Sequence, residues 1–257
     1  MSTLVSEYSQ RKAQYDFYPI TDFFEAPGQV TMADKDASTP RVFIMRHGQT
    51  EWSQNGRHTS ITDIPLTERG EKQVKASAEY MYGSGKLIDP AKLAKVFVSP
   101  RKRAIQTFEL LSGEQGGYEV TESLAEWYYG NYEGLKPAEI RSKRKAQGLD
   151  QDRAWDIWSD GCEGGESPAQ VTERIDALIK TIKEIQAPHM KDSEPKDIVL
   201  VAHGHLTRAF AKRWLGYDMS LPLSLMMEPG GVGVLSYQHQ NIDEPALLLG
   251  LGFPTRE

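Results

Sequence analysis

One cysteine, Cys162, stands in 257 residues, so no internal disulfide can form and the fold must be held by its core. Long apolar runs are missing too: nowhere do about 18 consecutive apolar residues occur, which gives no candidate membrane-spanning helix. The opening Met1-Ser2-Thr3-Leu4-Val5-Ser6-Glu7 lacks a charged segment followed by an apolar stretch, so no signal peptide is read. A basic excess is also absent. With 30 Lys and Arg against 36 Asp and Glu the net charge is −6, and no domain-wide positive field exists to gather nucleic acid or an anionic membrane surface. Any anionic ligand must therefore be held locally. No solenoid repeat and no low-complexity tract is found. The expectation is a cytoplasmic location, with a nuclear one also open, and an oligomeric state that composition does not reveal.

What is present is an ordinary globular composition, 39% hydrophobic, long enough for one α/β domain with a sizeable core. Residues 1–39 form a candidate N-terminal extension, ending in the polar stretch from Met32 to Pro40. Its Tyr15, Phe17, Tyr18, Phe23 and Phe24 are too aromatic for a fully solvated tail, so part of it is expected to pack on the domain that occupies 40–257. From Arg41 onward short β-rich runs alternate with helical stretches, the pattern of crossover units and a mostly parallel sheet. Strands are predicted at 42–45, 95–98, 198–202 and 232–237, with a weaker one at 118–120; helices are predicted at 67–82, 101–111, 167–184 and 206–215. Thr67 and Ser167 supply hydroxyl caps, the first followed by an acidic turn and the second by a proline at the first helical position.

Parallel sheets place ligands beyond the carboxyl ends of their strands. Two predicted strands end in histidine-glycine pairs, one running into Arg46-His47-Gly48 and the other into His203-Gly204, and a third runs into Ser99-Pro-Arg101-Lys-Arg103-Ala104. Two histidines and at least two arginines on one sheet edge suit transfer of a phosphoryl group. An imidazole can attack it, glycine lets the backbone approach, and planar guanidinium donors match its oxygens and neutralise the charge that spreads over them. Of Arg101 and Arg103, one is expected to face an anion, since cations at a helix start otherwise oppose the macrodipole. A proton donor for the leaving alcohol is also needed. Glu126 is the candidate, flanked by Trp127, Tyr128 and Tyr129, whose rings would shield it from water. Each residue taken alone also has a structural reading: a satisfied strand-end histidine, a solvated helix start, a surface glutamate.

The ordered set Arg46-His47-Gly48, Asn55-Gly-Arg57, Leu66-Thr67 with Gly70, Ser99 with Arg103-Ala104 and Thr107, Glu126 with Tyr129-Gly130, Gly165-Glu166-Ser167 and Ala202-His203-Gly204 resembles the histidine phosphatase superfamily, from about 41 to 251. The resemblance implies a three-layer α/β/α sandwich with a mostly parallel central sheet (the phosphoglycerate mutase-like fold). It implies His47 as the phosphorylated nucleophile, Glu126 as proton donor, and Arg46, Arg103 and His203 around the phosphoryl group, with neither cofactor nor metal. The stretches 126–134, 148–163 and 230–246 resemble the fungal sedoheptulose-1,7-bisphosphatase branch more than the mutases, and Gly134-Leu-Lys-Pro-Ala-Glu runs straight into a helix-like stretch where mutases carry a proline-rich segment. Hydrolysis of a small sugar phosphate is the implied reaction. Substrate contacts are expected from Arg57, His58, Thr59, Trp127, Tyr128, Tyr129, Arg153, Arg208 and Gly231. A second phosphate would need a further cationic site, for which Arg208, Arg153 and Arg57 are candidates. Departures lie at His58-Thr59-Ser60, where a tyrosine, a threonine and a glycine are expected, at Tyr128 in place of an acid, and in a shorter 214–230 segment. The rivals are a zinc hydrolase built on His203-Gly204-His205, disfavoured because no further acids or histidines follow, a phospho-ligand binding module without turnover, and a protein phosphatase, which would need an open, shallow cleft.

Overall fold

The computed structural model describes residues 39–113, 116–192 and 196–250. Nearly all of the candidate extension, including its aromatic residues, lies outside the described residues. In chain order the elements are β1 (Val42–Arg46), α1 (Glu51–Asn55), α2 (Glu68–Met81), β2 (Leu93–Val98), α3 (Lys102–Ser112), β3 (Glu119–Val120), α4 (Pro137–Ala146), α5 (Ile157–Asp160), α6 (Pro168–Gln186), β4 (Asp197–Ala202), α7 (Gly204–Trp214), β5 (Val232–Tyr237) and β6 (Pro245–Leu247), with short 3₁₀ turns between.

Strand alternation builds the layers. Val42 and Ile44 of β1, with Ile198, Leu200 and Ala202 of β4, face one core shared with Val171, Ile175 and Ile182 of α6 and Leu206, Phe210 and Trp214 of α7. Phe43 and Met45, with Val199 and Val201, face the opposite core against Val74 of α2 and Ala104, Phe108 and Leu111 of α3. Buried on both sides, the central strands read as continuous apolar runs. Each such side chain contributes about 1.5–3 kcal/mol on burial.

The sheet order is β3-β2-β4-β1-β5-β6. Pairs β1·β4, β2·β4 and β2·β3 are parallel, while β1·β5 and β5·β6 are antiparallel. The expected three-layer, mostly parallel architecture is therefore seen, with one antiparallel margin. After α7 the chain returns through an irregular segment rather than a crossover helix, so β5 enters from the other end. Thr67 accepts from the Gly70 N–H at 3.0 Å. Ser167 exchanges bonds with Gln170, ahead of Pro168 at the first helical position.

Elements not drawn from sequence are the short α1 and α5 and the three-residue β6, which are too brief to show a period. The helix-like stretch after Gly134 is α4, which buries only Ile140. No described helix is long and apolar enough to cross a membrane.

Candidate active site

Because β4 lies between β2 and β1, the carboxyl ends of all three strands converge. Arg46 pairs in register with Ala202, and the His47 N–H donates to the Ala202 carbonyl at 3.0 Å, so His47 and His203 leave adjacent strand ends side by side. Their rings lie 5.1 Å apart, tilted by 59°. Gly48 has a packing reason to be glycine. A Cβ there would sit 2.8 Å from Val74 and 2.9 Å from the Gly70 carbonyl, so the close approach it permits is to α2 rather than to a ligand. Its N–H donates to Thr107 Oγ1 at 3.0 Å, tying the loop to α3.

Tautomers follow from the partners. His47 Nδ1 lies 2.7 Å from the Gly48 carbonyl, which can only accept, so Nδ1 carries the proton and Nε2 keeps its lone pair. Burial pushes the His47 value well below 6.5, reinforced by Arg103 and then Arg46 and opposed only by the Gly48 bond. The imidazole is therefore neutral and nucleophilic at Nε2. Arg103 Nε donates to His203 Nδ1 at 3.2 Å, so the His203 proton is on Nε2, 2.6 Å from Ser99 Oγ. His203 is likewise held well below 6.5 by burial, then by Arg103 and His47.

Arg103 is fully buried. Besides His203 it donates to the carbonyls of Thr62, Thr59 and Ser60 at 3.1–3.2 Å. That loop is shaped by Glu133, whose carboxylate accepts from the Ser60 and Thr62 N–H groups at 3.0 Å and from Ser60 Oγ at 2.6 Å. Arg101, by contrast, is not among the residues lining the pocket that His47 lines, its guanidinium 3.7 Å from Glu122. Arg46 donates from Nη1 to the Met227 carbonyl at 2.8 Å, and its buried Nε, like that of Arg101, has no protein partner.

Glu126 is buried and caps α7 from a remote loop. Its carboxylate accepts from the N–H groups of His205 at 3.0 Å and of Leu206 and Trp127 at 2.9 Å. α7 has no side-chain cap of its own, so the carboxylate meets donors at the positive end of the helix dipole. Only one of the three flanking aromatics shields it. Tyr129 is buried beside it, its phenol pushed well above 10 by burial and by Glu126, and bonded to His205 Nδ1 at 2.6 Å. Trp127 points into the core with its indole N–H on the Glu166 carbonyl, and Tyr128 is exposed.

Arg46, His47, Glu126 and Tyr129 open onto a pocket of about 520 Å³ lined also by Arg57, His58, Thr59 and Arg208, together with His205, Trp155, Asp156 and the 225–228 loop; Arg103 and His203, fully buried, are not among its lining residues. Arg208 donates Nε to the Gly204 carbonyl at 2.8 Å, lies over Trp158 and lines the pocket. Arg57 also braces a loop, donating to the Gly134 carbonyl at 2.6 Å. Four residues expected at the substrate are not among the lining residues of this pocket. Arg153 pairs with Asp160 at the surface, while Trp127 and Tyr128 are oriented as above. Gly231 acts through its backbone, its carbonyl accepting from the Arg46 N–H at 3.1 Å.

Asp156 and Glu133 carry no role assigned from sequence. His205, which the sequence places beside the Ala202-His203-Gly204 run as a residue that orients a loop or touches substrate rather than a zinc ligand, lines the pocket and is stacked on His58, with ring centroids 5.7 Å apart. Among the described residues no group of three or more His, Cys, Asp or Glu is placed to hold a metal ion.

The sequence profile described as the histidine phosphatase superfamily (branch 1) matches residues 42–246. The chain is 39% identical over 250 residues to a sedoheptulose 1,7-bisphosphatase of Saccharomyces cerevisiae, spanning 82% of this chain and 92% of the yeast protein. It is 35% identical over 199 residues to an acid phosphatase of Mycobacterium tuberculosis, spanning 77% and 87% of the two chains. A solved Mycobacterium tuberculosis structure superposes with a TM-score of 0.66 at 31% identity, covering 82% of this chain and 96% of that one. A neutral histidine with a free Nε2 at the end of β1, facing arginines and a capped glutamate, is thus found within a sequence match that runs almost the whole described length: the chain belongs to the histidine phosphatase superfamily.

Proposed function

We propose that this chain hydrolyses a small sugar bisphosphate, sedoheptulose 1,7-bisphosphate foremost, through a phosphohistidine on His47. The observation that carries the reading is the His47 tautomer: with Nδ1–H spent on Gly48, the lone pair of Nε2 is free at a pocket whose wall includes Arg46. In the first step Nε2 forms a bond to phosphorus, the ester P–O bond breaks, and the leaving alkoxide takes a proton from Glu126. In the second, water gives a proton to the Glu126 carboxylate and attacks phosphorus, the N–P bond breaks, and inorganic phosphate departs. Arg46 and Arg103 neutralise the transferring group. Through its bond to Arg103, His203 holds that guanidinium in place.

Two features support a bisphosphate. Arg208 and Arg57, the latter also 3.7 Å from Glu139, line the pocket, and the volume suits a sugar carrying a second phosphate rather than a protein segment. The named activity of the yeast relative agrees. A single buried cysteine accords with a reducing, cytoplasmic setting.

The test is inorganic phosphate release from a panel holding sedoheptulose 1,7-bisphosphate, fructose 1,6-bisphosphate, sugar monophosphates and phosphoglycerates, with His47→Ala as control. Preferred turnover of a ketose bisphosphate, lost in the variant, is expected. Turnover confined to other monoesters would retain the phosphohistidine reaction and reject the bisphosphate, and no release from any of them would reject the phosphatase reading in favour of a binding module.

A further inference from the structure

Glu126 lies on a loop without regular secondary structure, yet its carboxyl must be held to a fraction of an ångström to serve as donor and then as acceptor. The loop's backbone is restrained by two side chains from outside the pocket. Arg174, from the first half of α6, donates Nη1 to the carbonyls of Ser123 and Ala125, both at 2.9 Å. Its Nε and Nη2 form a two-point pair with Glu166 at 2.8 and 3.0 Å. Glu166 in turn accepts the Tyr128 N–H at 2.8 Å, while its backbone N–H donates to the Tyr128 carbonyl at 2.9 Å and its carbonyl takes the Trp127 indole N–H at 2.9 Å. The polar backbone groups on either side of Glu126 are therefore fixed by one guanidinium and one carboxylate, neither of which lines the pocket. Bare glycines allow the contact, since a Cβ on Gly165 would sit 2.1 Å from the Tyr128 carbonyl oxygen.

We infer that Arg174 and Glu166 are positioning residues for the Glu126 carboxyl, acting on proton transfer without touching the substrate. The inference rests on the proton-transfer role proposed above for Glu126. A planar, forked cation is required because one side chain must serve two carbonyls and a carboxylate at once, which an ammonium cannot do.

The experiment compares the first turnover of two monoesters by rapid mixing. With p-nitrophenyl phosphate the leaving group needs little proton help, whereas a sugar monophosphate needs it fully. Arg174→Lys should slow the sugar ester by about 10- to 100-fold and the nitrophenyl ester by less than about 3-fold, and in a Glu126→Gln background it should cause no further loss. The paired variant Arg174→Met with Glu166→Gln, which leaves no unpaired charge, should do the same and serves if Arg174→Lys does not fold. Equal losses on both esters, losses that add to those of Glu126→Gln, or no loss at all would overturn the inference. A Glu126→Gln variant that turns over the sugar ester normally would instead remove the role of Glu126 itself. Normal clamp variants beside an impaired Glu126→Gln would reject the clamp alone.

Discussion

Lowering the pH from 7.5 to 5.5 should remove about 4 kcal/mol of stability through three buried histidines. His47, His203 and His205 all have values pushed well below 6.5, in each case first by burial. Neighbouring cations add to it, Arg103 and Arg46 at His47, Arg103 at His203 and Arg208 at His205. With folded values below the unfolded one, the unfolded chain binds more protons as the pH falls. Stability is thus complete above pH 6.5 and is lost below it. A histidine that stays neutral when folded and titrates normally when unfolded costs about 1.4 kcal/mol over that interval. Three together reach about 4 kcal/mol, a large share of the 5–15 kcal/mol typical of a domain. Urea unfolding at pH 7.5, 6.5 and 5.5 with a constant m-value measures the loss, and His205→Gln should reduce it by about a third. A slope at pH 5.5 corresponding to fewer than about two protons taken up on unfolding would refute the assignment of three neutral imidazoles.

Arg208→Ala should raise KM for a ketose bisphosphate by about 10- to 100-fold, the value of one charge-assisted contact, and change KM for a sugar monophosphate by less than about 3-fold; steady-state phosphate release reads both. Arg103→Met should cost at least about 3 kcal/mol in urea unfolding, because three carbonyls and His203 Nδ1 lose their donor in the interior, and should abolish labelling of His47 by phosphate. Gly165→Ala should destabilise by about 1–3 kcal/mol and lower kcat more than it raises KM, since relief of the clash displaces the loop carrying Glu126. Thermal unfolding with steady-state kinetics checks it.

Much of the fold is legible because its elements carry their own punctuation. β1 and β4 are apolar on both faces and stop at histidine-glycine pairs, α2 and α6 begin at hydroxyl caps, and each boundary lies within a few residues of the pattern that marks it. The antiparallel β5 is legible as a strand and not as antiparallel. Its direction depends on the irregular 215–231 return, a property of the connection rather than of the strand's own residues. The brief α1, α5 and β6 fall below the length at which a period can be counted.

The centre that handles the transferred phosphate and the walls around the sugar differ in kind. His47, Arg46 and His203 hang at strand ends, so their convergence follows from strand order, and strand ends are local in sequence. The walls come from four separated loops, around 57–59, 129, 155–157 and 225–228, whose side chains take directions from tertiary contacts. Arg153 and Arg208 make the point. Both are arginines in polar surroundings and equal candidates for a second phosphate. Arg153 finds Asp160 and Asp156 in its own segment and is spent on Asp160 at the surface. Arg208 bonds its own helix's Gly204 carbonyl and lies over the Trp158 ring, and among the described residues it forms no ion pair. An arginine in a pocket wall that is not spent on an ion pair keeps its charge for an anionic substrate, which is why the discriminating feature is the absence of an ion pair at Arg208 and not the arginine itself.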